Sequence, residues 1–205
     1  MHIAIEGNIG SGKTALTLAL AESLEARCIL EAFEDNPFLE LFYGQPEVHA
    51  FPLELSFMAQ RFLQWTHATQ ADLFSKHLIS DYHFAKSLLF AQINLTESIF
   101  KPFESLYRQL SKQLKEPDVL IFLDYDLNTI TERIRKRGRP YEQNIELNYL
   151  KSIHKAYGDW LRTRGEKVTI VLNSQEIKEK QVGEIAEILS KMIYGTGLQQ
   201  GAIVI

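Results

Sequence analysis

Apolar residues recur along this chain in two rhythms. Five short runs rich in apolar and β-branched residues, at 2–6, 27–31, 77–81, 118–124 and 167–172, read as strands. Longer stretches with apolar residues three and four apart read as helices: about 12–25, 46–74, 84–113 with a break, 127–137, 146–163 and 183–193. Pro46 suits the first turn of the second helix, and Pro102 is expected to kink or divide the third. Strands alternating with helices imply an α/β fold, a five-stranded parallel sheet with helices on both faces. Right-handed crossovers then bring the carboxyl ends of all five strands to one edge, where ligands bind in such sheets. No repeat or linker divides the chain, so 1–205 reads as one domain, with a loosely held tail at 195–205.

The residues that follow each strand are therefore the candidates for chemistry. After the first strand comes Gly7-Asn8-Ile9-Gly10-Ser11-Gly12-Lys13-Thr14, the phosphate-binding pattern of P-loop nucleotide-binding folds, between a strand and a helix. Glycines at these positions let backbone N–H groups turn inward around a polyphosphate. Lys13 offers a charge to the outer phosphates, Thr14 a hydroxyl to Mg²⁺, and the helix behind them its positive end. A nucleoside triphosphate with Mg²⁺ is the expected ligand.

Asp81 closes the third strand, where such proteins hold Mg²⁺ or its water shell; a helix-capping role is the other reading. Glu31 closes the second strand, ahead of Glu34-Asp35-Asn36-Pro37. It is either a general base facing the γ-phosphate or a solvated loop acid. The most basic stretch runs from Arg133 through Arg135, Lys136, Arg137 and Gly138 to Arg139. Arg133 and Arg137 are four apart on one helical face and Gly138 is placed to end the helix. A solvated helix face and nucleic-acid contact are the generic readings of such a run; the spacing also fits an arginine-rich lid over about 133–144 that carries cations to a phosphoryl group and excludes water.

Bulk properties narrow the classes. With 205 residues, 45% apolar content and a net charge of −4, the chain has room for a sizeable core and lacks the basic surface that nucleic acid requires. No apolar run reaches the length of a membrane span, and the single cysteine, Cys28, sits in an apolar run as a small core residue. The cytoplasm is the expected compartment. The six histidines show no metal-ligand spacing, and His83 is expected to pack or cap.

Taken together, these positions resemble the deoxynucleoside kinase family. Besides the glycine loop and Glu31, the similarity includes Asn36-Pro37-x-Leu39, Phe42-Tyr43-x-x-Pro46-Glu47, Glu54, Arg61 and Asp81-Tyr82-His83. It continues through Arg133-x-x-x-Arg137-Gly138-Arg139-x-x-Glu142 to Asp159-Trp160-Leu161. The resemblance implies phosphoryl transfer from ATP to the 5′-hydroxyl of a deoxynucleoside, in nucleotide salvage, by a homodimer. It implies Glu31 as base, Tyr43 and Glu142 as holders of the sugar 3′-hydroxyl, and Arg133, Arg137 and Arg139 as lid cations. Asp81 then lies beside the metal and the substrate. Tyr43 as a core aromatic and Glu142 as a surface acid are the alternatives. Animal members carry acid-Arg-Ser after strand three, the arginine steadying the base; here Tyr82-His83 follow the acid. The cation beside Glu31 is therefore expected from Lys13 or a lid arginine.

Glu54 and Arg61 are seven residues apart and share a helical face. An ionised Glu54 only accepts hydrogen bonds, which matches the adjacent N1–H and 2-amino donors of guanine and opposes the acceptor of adenine or cytosine. Arg61 is expected to donate to guanine O6 and N7 or to neutralise Glu54; a solvent-exposed pair is the alternative. Deoxyguanosine is the favoured acceptor, deoxyadenosine the next. Two other functions share the glycine loop. A nucleoside monophosphate kinase needs an acceptor-side arginine near strand two, and residues 28–42 contain none. A nucleotide-sensing module needs neither base nor lid cations.

Overall fold

The computed structural model describes residues 1–33, 36–70, 77–164, 168–173, 181–195 and 202–204. Glu34, Asp35 and the stretch 71–74 of the second predicted helix lie outside the described residues. Six strands form one parallel sheet in the order β2-β3-β1-β4-β5-β6. They are β1 (His2–Gly7), β2 (Arg27–Ile29), β3 (Leu78–Ser80), β4 (Val119–Asp124), β5 (Thr169–Asn173) and β6 (Ala202–Val204). The central pairing places Ile3 opposite both Ile79 and Val119, so β1 is fully buried between β3 and β4.

Side chains alternate across the sheet with period two. Ile3 and Ile5 of β1 and Ile121 and Leu123 of β4 face a core built with α1 (Lys13–Ser23) and the last described helix, Val182–Gly195. Phe122 points the other way, to Leu89 of α4 (Lys86–Asn94) and Ile153 and Tyr157 of α7 (Leu147–Arg162). Covering both faces is what a parallel sheet with apolar residues on each side requires. The remaining helices are α2 (Leu39–Gly44), α3 (Pro46–Gln70), α5 (Glu97–Ser111) and α6 (Leu127–Arg137); the last helix is α8.

Three expectations need correction. The break in the third predicted helix falls at Leu95 and Thr96, both extended in ψ, and Pro102 sits inside α5. Pro102 lies past the first turn, where proline removes one hydrogen bond, yet α5 runs on through it to Ser111, so the extended pair and not the proline divides α4 from α5. Leu39–Gly44 forms a short helix ahead of α3 that the periodicity did not single out. The tail is not wholly loose: residues 202–204 extend the sheet as β6, pairing in parallel with Thr169–Val171, because an apolar run can satisfy its backbone on the open edge of β5. Residues 196–201 and 205 lie outside the described residues.

Candidate active site

The glycine loop joins β1 to α1 at the carboxyl edge of the sheet. Gly12 is the N-cap of α1 with φ 91°, a left-handed conformation that a side chain would strain. At Gly7 a Cβ would stand 2.8 Å from the carbonyl oxygen of Leu123, so the loop can lie against β4 only as glycine. Asn8 fastens the loop to α7 through an amide that donates to the Leu150 carbonyl at 3.0 Å, while its Oδ1 accepts from the Ile9 N–H at 2.8 Å. The Ser11 N–H closes the turn onto the Asn8 carbonyl at 3.2 Å. Lys13 Nζ lies across the mouth of the loop, donating to the carbonyls of Gly7 and Asn8 at 3.0 Å each. Burial and the neighbouring Lys86 lower its pKa to about 8.

Thr14 and Asp81 meet. The Thr14 hydroxyl donates to Asp81 Oδ2 at 2.6 Å, and Asp81 Oδ1 accepts the Glu31 N–H at 2.7 Å. Asp81 therefore ties β3, the glycine loop and the end of β2 together and does not cap a helix. Hydroxyl and carboxylate oxygens next to a phosphate cradle form a hard donor set that fits Mg²⁺, which keeps few protein ligands and several waters. His83 Nδ1 accepts the Ala85 N–H at 2.9 Å in the turn that leads into α4.

Glu31 stands where two cavities join. The outer one reaches Gly12, Ala15 and Leu30; the inner one runs past Tyr43, Glu54 and Tyr149; Lys13, Thr14, Glu31, Asp81, Arg137 and Arg139 line both. Arg61 grips Glu31 Oε1 through Nε at 2.8 Å and Nη2 at 2.6 Å, and Lys86 Nζ holds Oε2 at 2.5 Å. Burial alone would raise the carboxyl pKa, but Lys86 and Arg61 outweigh it and hold Glu31 down to about 2.

This overturns one expectation. The cation beside Glu31 is neither Lys13 nor a lid arginine but Arg61 together with Lys86. Arg61 also lines the inner cavity with Glu54, and its remaining Nη1 donates to Ser87 Oγ at 2.8 Å. Helical spacing placed Glu54 and Arg61 on one face correctly, and both are buried, at 1% and 2% exposure, which removes the surface-pair alternative. Which neighbour Arg61 meets depends on how α3 is rotated against β2, and spacing carries no such information. Lys86 was missed, although the sequence held a signal: it is the one charge in the run Phe84–Ala91.

Glu54 ends in the inner cavity. Asn94 donates to its Oε1 at 2.7 Å, while Oε2 is buried and has no partner among the described residues. Burial, opposed by the Asn94 amide and by Arg61 and Lys86, raises its pKa to about 7. Tyr43, on α2, stacks on Tyr141 at 5.8 Å between centroids; burial, then Glu142, raises its phenol well above the usual range. Glu142, in a 3-10 turn over Pro140–Glu142, is buried and held by Arg137 Nε at 3.0 Å and Nη2 at 2.5 Å, with Arg139 Nη1 at 3.4 Å.

Gly138 ends α6 in the left-handed conformation, φ 74°, as its position predicted. The three lid arginines are not equivalent. Arg137 and Arg139 line the cavities, whereas Arg133 lies one turn back, donating to the Ser11 carbonyl at 2.9 Å from outside the loop and stacking over Tyr125 at 3.8 Å. A four-residue step advances about 6 Å along a helix, which carries Arg133 past the cavity rim.

The glycine loop at a sheet edge, an adjoining cavity and a carboxylate between two cations are the parts of a nucleotide-dependent phosphotransferase. The deoxynucleoside kinase family model matches residues 3–193. The deoxyguanosine kinase of Bacillus subtilis (strain 168) is 37% identical over 158 residues, covering 76% of this chain and 75% of that protein. The deoxyadenosine kinase of Dictyostelium discoideum is 30% identical over 175 residues, 83% of this chain and 70% of that one. Among solved structures, a deoxyadenosine kinase from M. mycoides superposes with a TM-score of 0.84 at 21% identity, over 96% of this chain and 100% of that one, which shows a shared fold. The chain belongs to the deoxynucleoside kinase family, whose members are ATP-dependent kinases of deoxynucleosides. Among the described residues no helix is long and apolar enough to cross a membrane.

Proposed function

We propose that this kinase, acting as one domain, moves the γ-phosphate of ATP to the 5′-hydroxyl of a purine deoxynucleoside, deoxyguanosine first and deoxyadenosine next, for cytoplasmic nucleotide salvage. The observation that carries the acceptor reading is Glu31 at the junction of the two cavities, ionised and gripped by Arg61 and Lys86. An alcohol in the inner cavity facing a triphosphate on the loop meets that carboxylate. A carboxylate held near pKa 2 is a weak base. It takes the proton late, once bonding to phosphorus has made the alcohol acidic, which suits the loose transition state of phosphoryl transfer.

Lys13 and the backbone N–H groups of Gly7–Thr14 bind the outer phosphates. Mg²⁺ would be held by Thr14 and Asp81 and, when bound, supplies charge neutralisation on the phosphates. Arg137 and Arg139 deliver positive charge where it develops, and Arg133 braces the loop from behind. Tyr43 and Glu142 hold the 3′-hydroxyl; a carboxylate offers about four lone-pair sites, so Glu142 can serve two arginines and a sugar.

Base preference rests on Glu54. Glu54 lines the inner cavity and its buried Oε2 has no partner among the described residues, which a ligand donor would satisfy; guanine brings two adjacent donors. Glu54→Gln, which presents one donor and one acceptor, is expected to move the ratio of kcat/KM toward deoxyadenosine by about ten- to a hundredfold. An unchanged ratio removes this reading, and turnover of monophosphates alone removes the nucleoside acceptor.

A homodimer is supported by exposed apolar residues on two helices that pack together, Val48, Phe51 and Leu63 of α3 and Ile99 and Leu106 of α5. Sedimentation is expected to give the mass of two chains, and Leu63→Glu that of one. A monomeric unmodified chain contradicts the dimer.

A further inference from the structure

We propose that a single proton on Glu54 selects the nucleobase: the carboxylate takes guanine, the carboxylic acid takes adenine, and one pocket thereby serves both purines. The proposal rests on the purine reading above and deepens it. Its basis is the asymmetric surroundings of the two carboxyl oxygens. Asn94 donates to Oε1, which fixes that atom as an acceptor in either state. Oε2 is buried and has no hydrogen-bond partner among the described residues, on a side chain that lines the inner cavity, so it is where a proton can sit or be absent.

Every charged group packed near Glu54 is otherwise engaged. From α3, Arg61 is committed to Glu31 and Ser87; from α4, Lys86 is committed to Glu31; Glu31 itself faces them from the end of β2. Tyr43 of α2 and Tyr149 of α7 complete the surroundings, both kept neutral by burial. Among the described residues no cation makes a hydrogen bond or ion pair with Glu54 to lock it as a carboxylate, although Arg61 and Lys86 favour that state from a distance. Its pKa of about 7 follows from burial opposed by Asn94, Arg61 and Lys86, so both states are populated near neutral pH.

Each state has its own complement. Ionised, Glu54 accepts from guanine N1–H and the 2-amino group through Oε2 and the second lone pair of Oε1. Protonated, Oε2–H donates to adenine N1, while the same Oε1 lone pair accepts from the 6-amino group. The wrong pairing leaves two lone pairs, or two donors, opposed in a buried site. Cytosine presents the same acceptor-donor edge as adenine, so deoxycytidine follows deoxyadenosine wherever it is used. The nucleobases themselves do not titrate near neutrality, so the switch belongs to the protein.

The test is the ratio of kcat/KM for deoxyadenosine to that for deoxyguanosine, measured with the full chain from about pH 6 to about pH 8.5. Titrations common to both substrates, such as Lys13 and the phosphate donor, cancel in the ratio. One proton required by one substrate and forbidden to the other makes the ratio fall about tenfold per pH unit. Glu54→Gln should flatten it. A flat ratio in the unmodified enzyme overturns the proposal, and so does an equal slope in Glu54→Gln. Should that variant not fold, calorimetry of the unmodified enzyme in two buffers near pH 7 decides. Deoxyguanosine binding must release protons and deoxyadenosine binding must take them up, and the same sign for both overturns the switch. Failure to phosphorylate either purine nucleoside would instead strike the parent reading.

Discussion

Glu31→Gln is expected to lower kcat by about three orders of magnitude while leaving the nucleoside KM within a few-fold, because a general base contributes roughly 10²–10⁴ to rate and little to binding. The amide keeps the shape of the side chain and can still meet a hydroxyl, but it cannot take a proton. Arg61 and Lys86 would lose their shared partner, so the variant also leaves two cations poorly matched beside the cavity. Lys86→Met separates the two effects. It keeps the carboxylate and removes one of the cations that depress its pKa, so Glu31 titrates at a higher pH than in the unmodified enzyme. Protonated Glu31 cannot accept the alcohol proton, and activity should therefore acquire an acid limb, falling as pH falls through the raised pKa. Unmodified enzyme, with Glu31 held at about 2, should show no such limb from this group. Equal pH profiles for the two proteins would show that Lys86 does not tune the base.

Arg137→Ala should be as damaging and in two ways. Arg137 lines both cavities and clasps Glu142 through Nε and Nη2. Removing a cation aimed at a transferring phosphoryl group costs about 10³ or more in kcat. The same truncation leaves the buried Glu142 carboxylate with only the longer Arg139 contact at 3.4 Å, so the 3′-hydroxyl loses a fixed partner and the nucleoside KM should rise as well. Arg133→Ala is the contrast. It touches the Ser11 carbonyl from outside the loop, so its loss should appear in the KM for ATP more than in the chemical step. If Arg137→Ala changed only KM, its place on the transferring group would be wrong.

The parts of this site that could be read from sequence are those fixed locally. The glycine loop is a contiguous pattern between a strand and a helix, and the conformation at Gly12 and the close approach at Gly7 are what that pattern exists to allow. Glu31 and Asp81 follow strands, and a parallel sheet sends strand ends to one edge whatever the details of packing. Gly138 terminates α6 for a local reason of the same kind. What could not be read depends on how elements are rotated and stacked. Arg61 shares a helix face with Glu54, yet its guanidinium reaches across to Glu31, 30 residues earlier. Lys86 joins the same carboxylate from 55 residues away, and Asn94 reaches Glu54 across 40. Glu6 belongs in this group: buried in β1, it accepts from the Tyr157 hydroxyl at 2.8 Å and the His83 N–H at 2.7 Å, bracing the start of the loop from the α4–α7 face of the sheet.

The proposed reaction requires an acceptor alcohol between Glu31 and a phosphate held on the glycine loop. A crystal structure with deoxyguanosine and a non-hydrolysable ATP analogue tests it most directly. The 5′-oxygen should lie within hydrogen-bond reach of Glu31, about 2.6–3.2 Å, and in line with the terminal phosphorus, while the guanine edge meets Glu54. A nucleoside seated with its 5′-oxygen away from Glu31, the carboxylate still enclosed by Arg61 and Lys86 alone, would contradict the account.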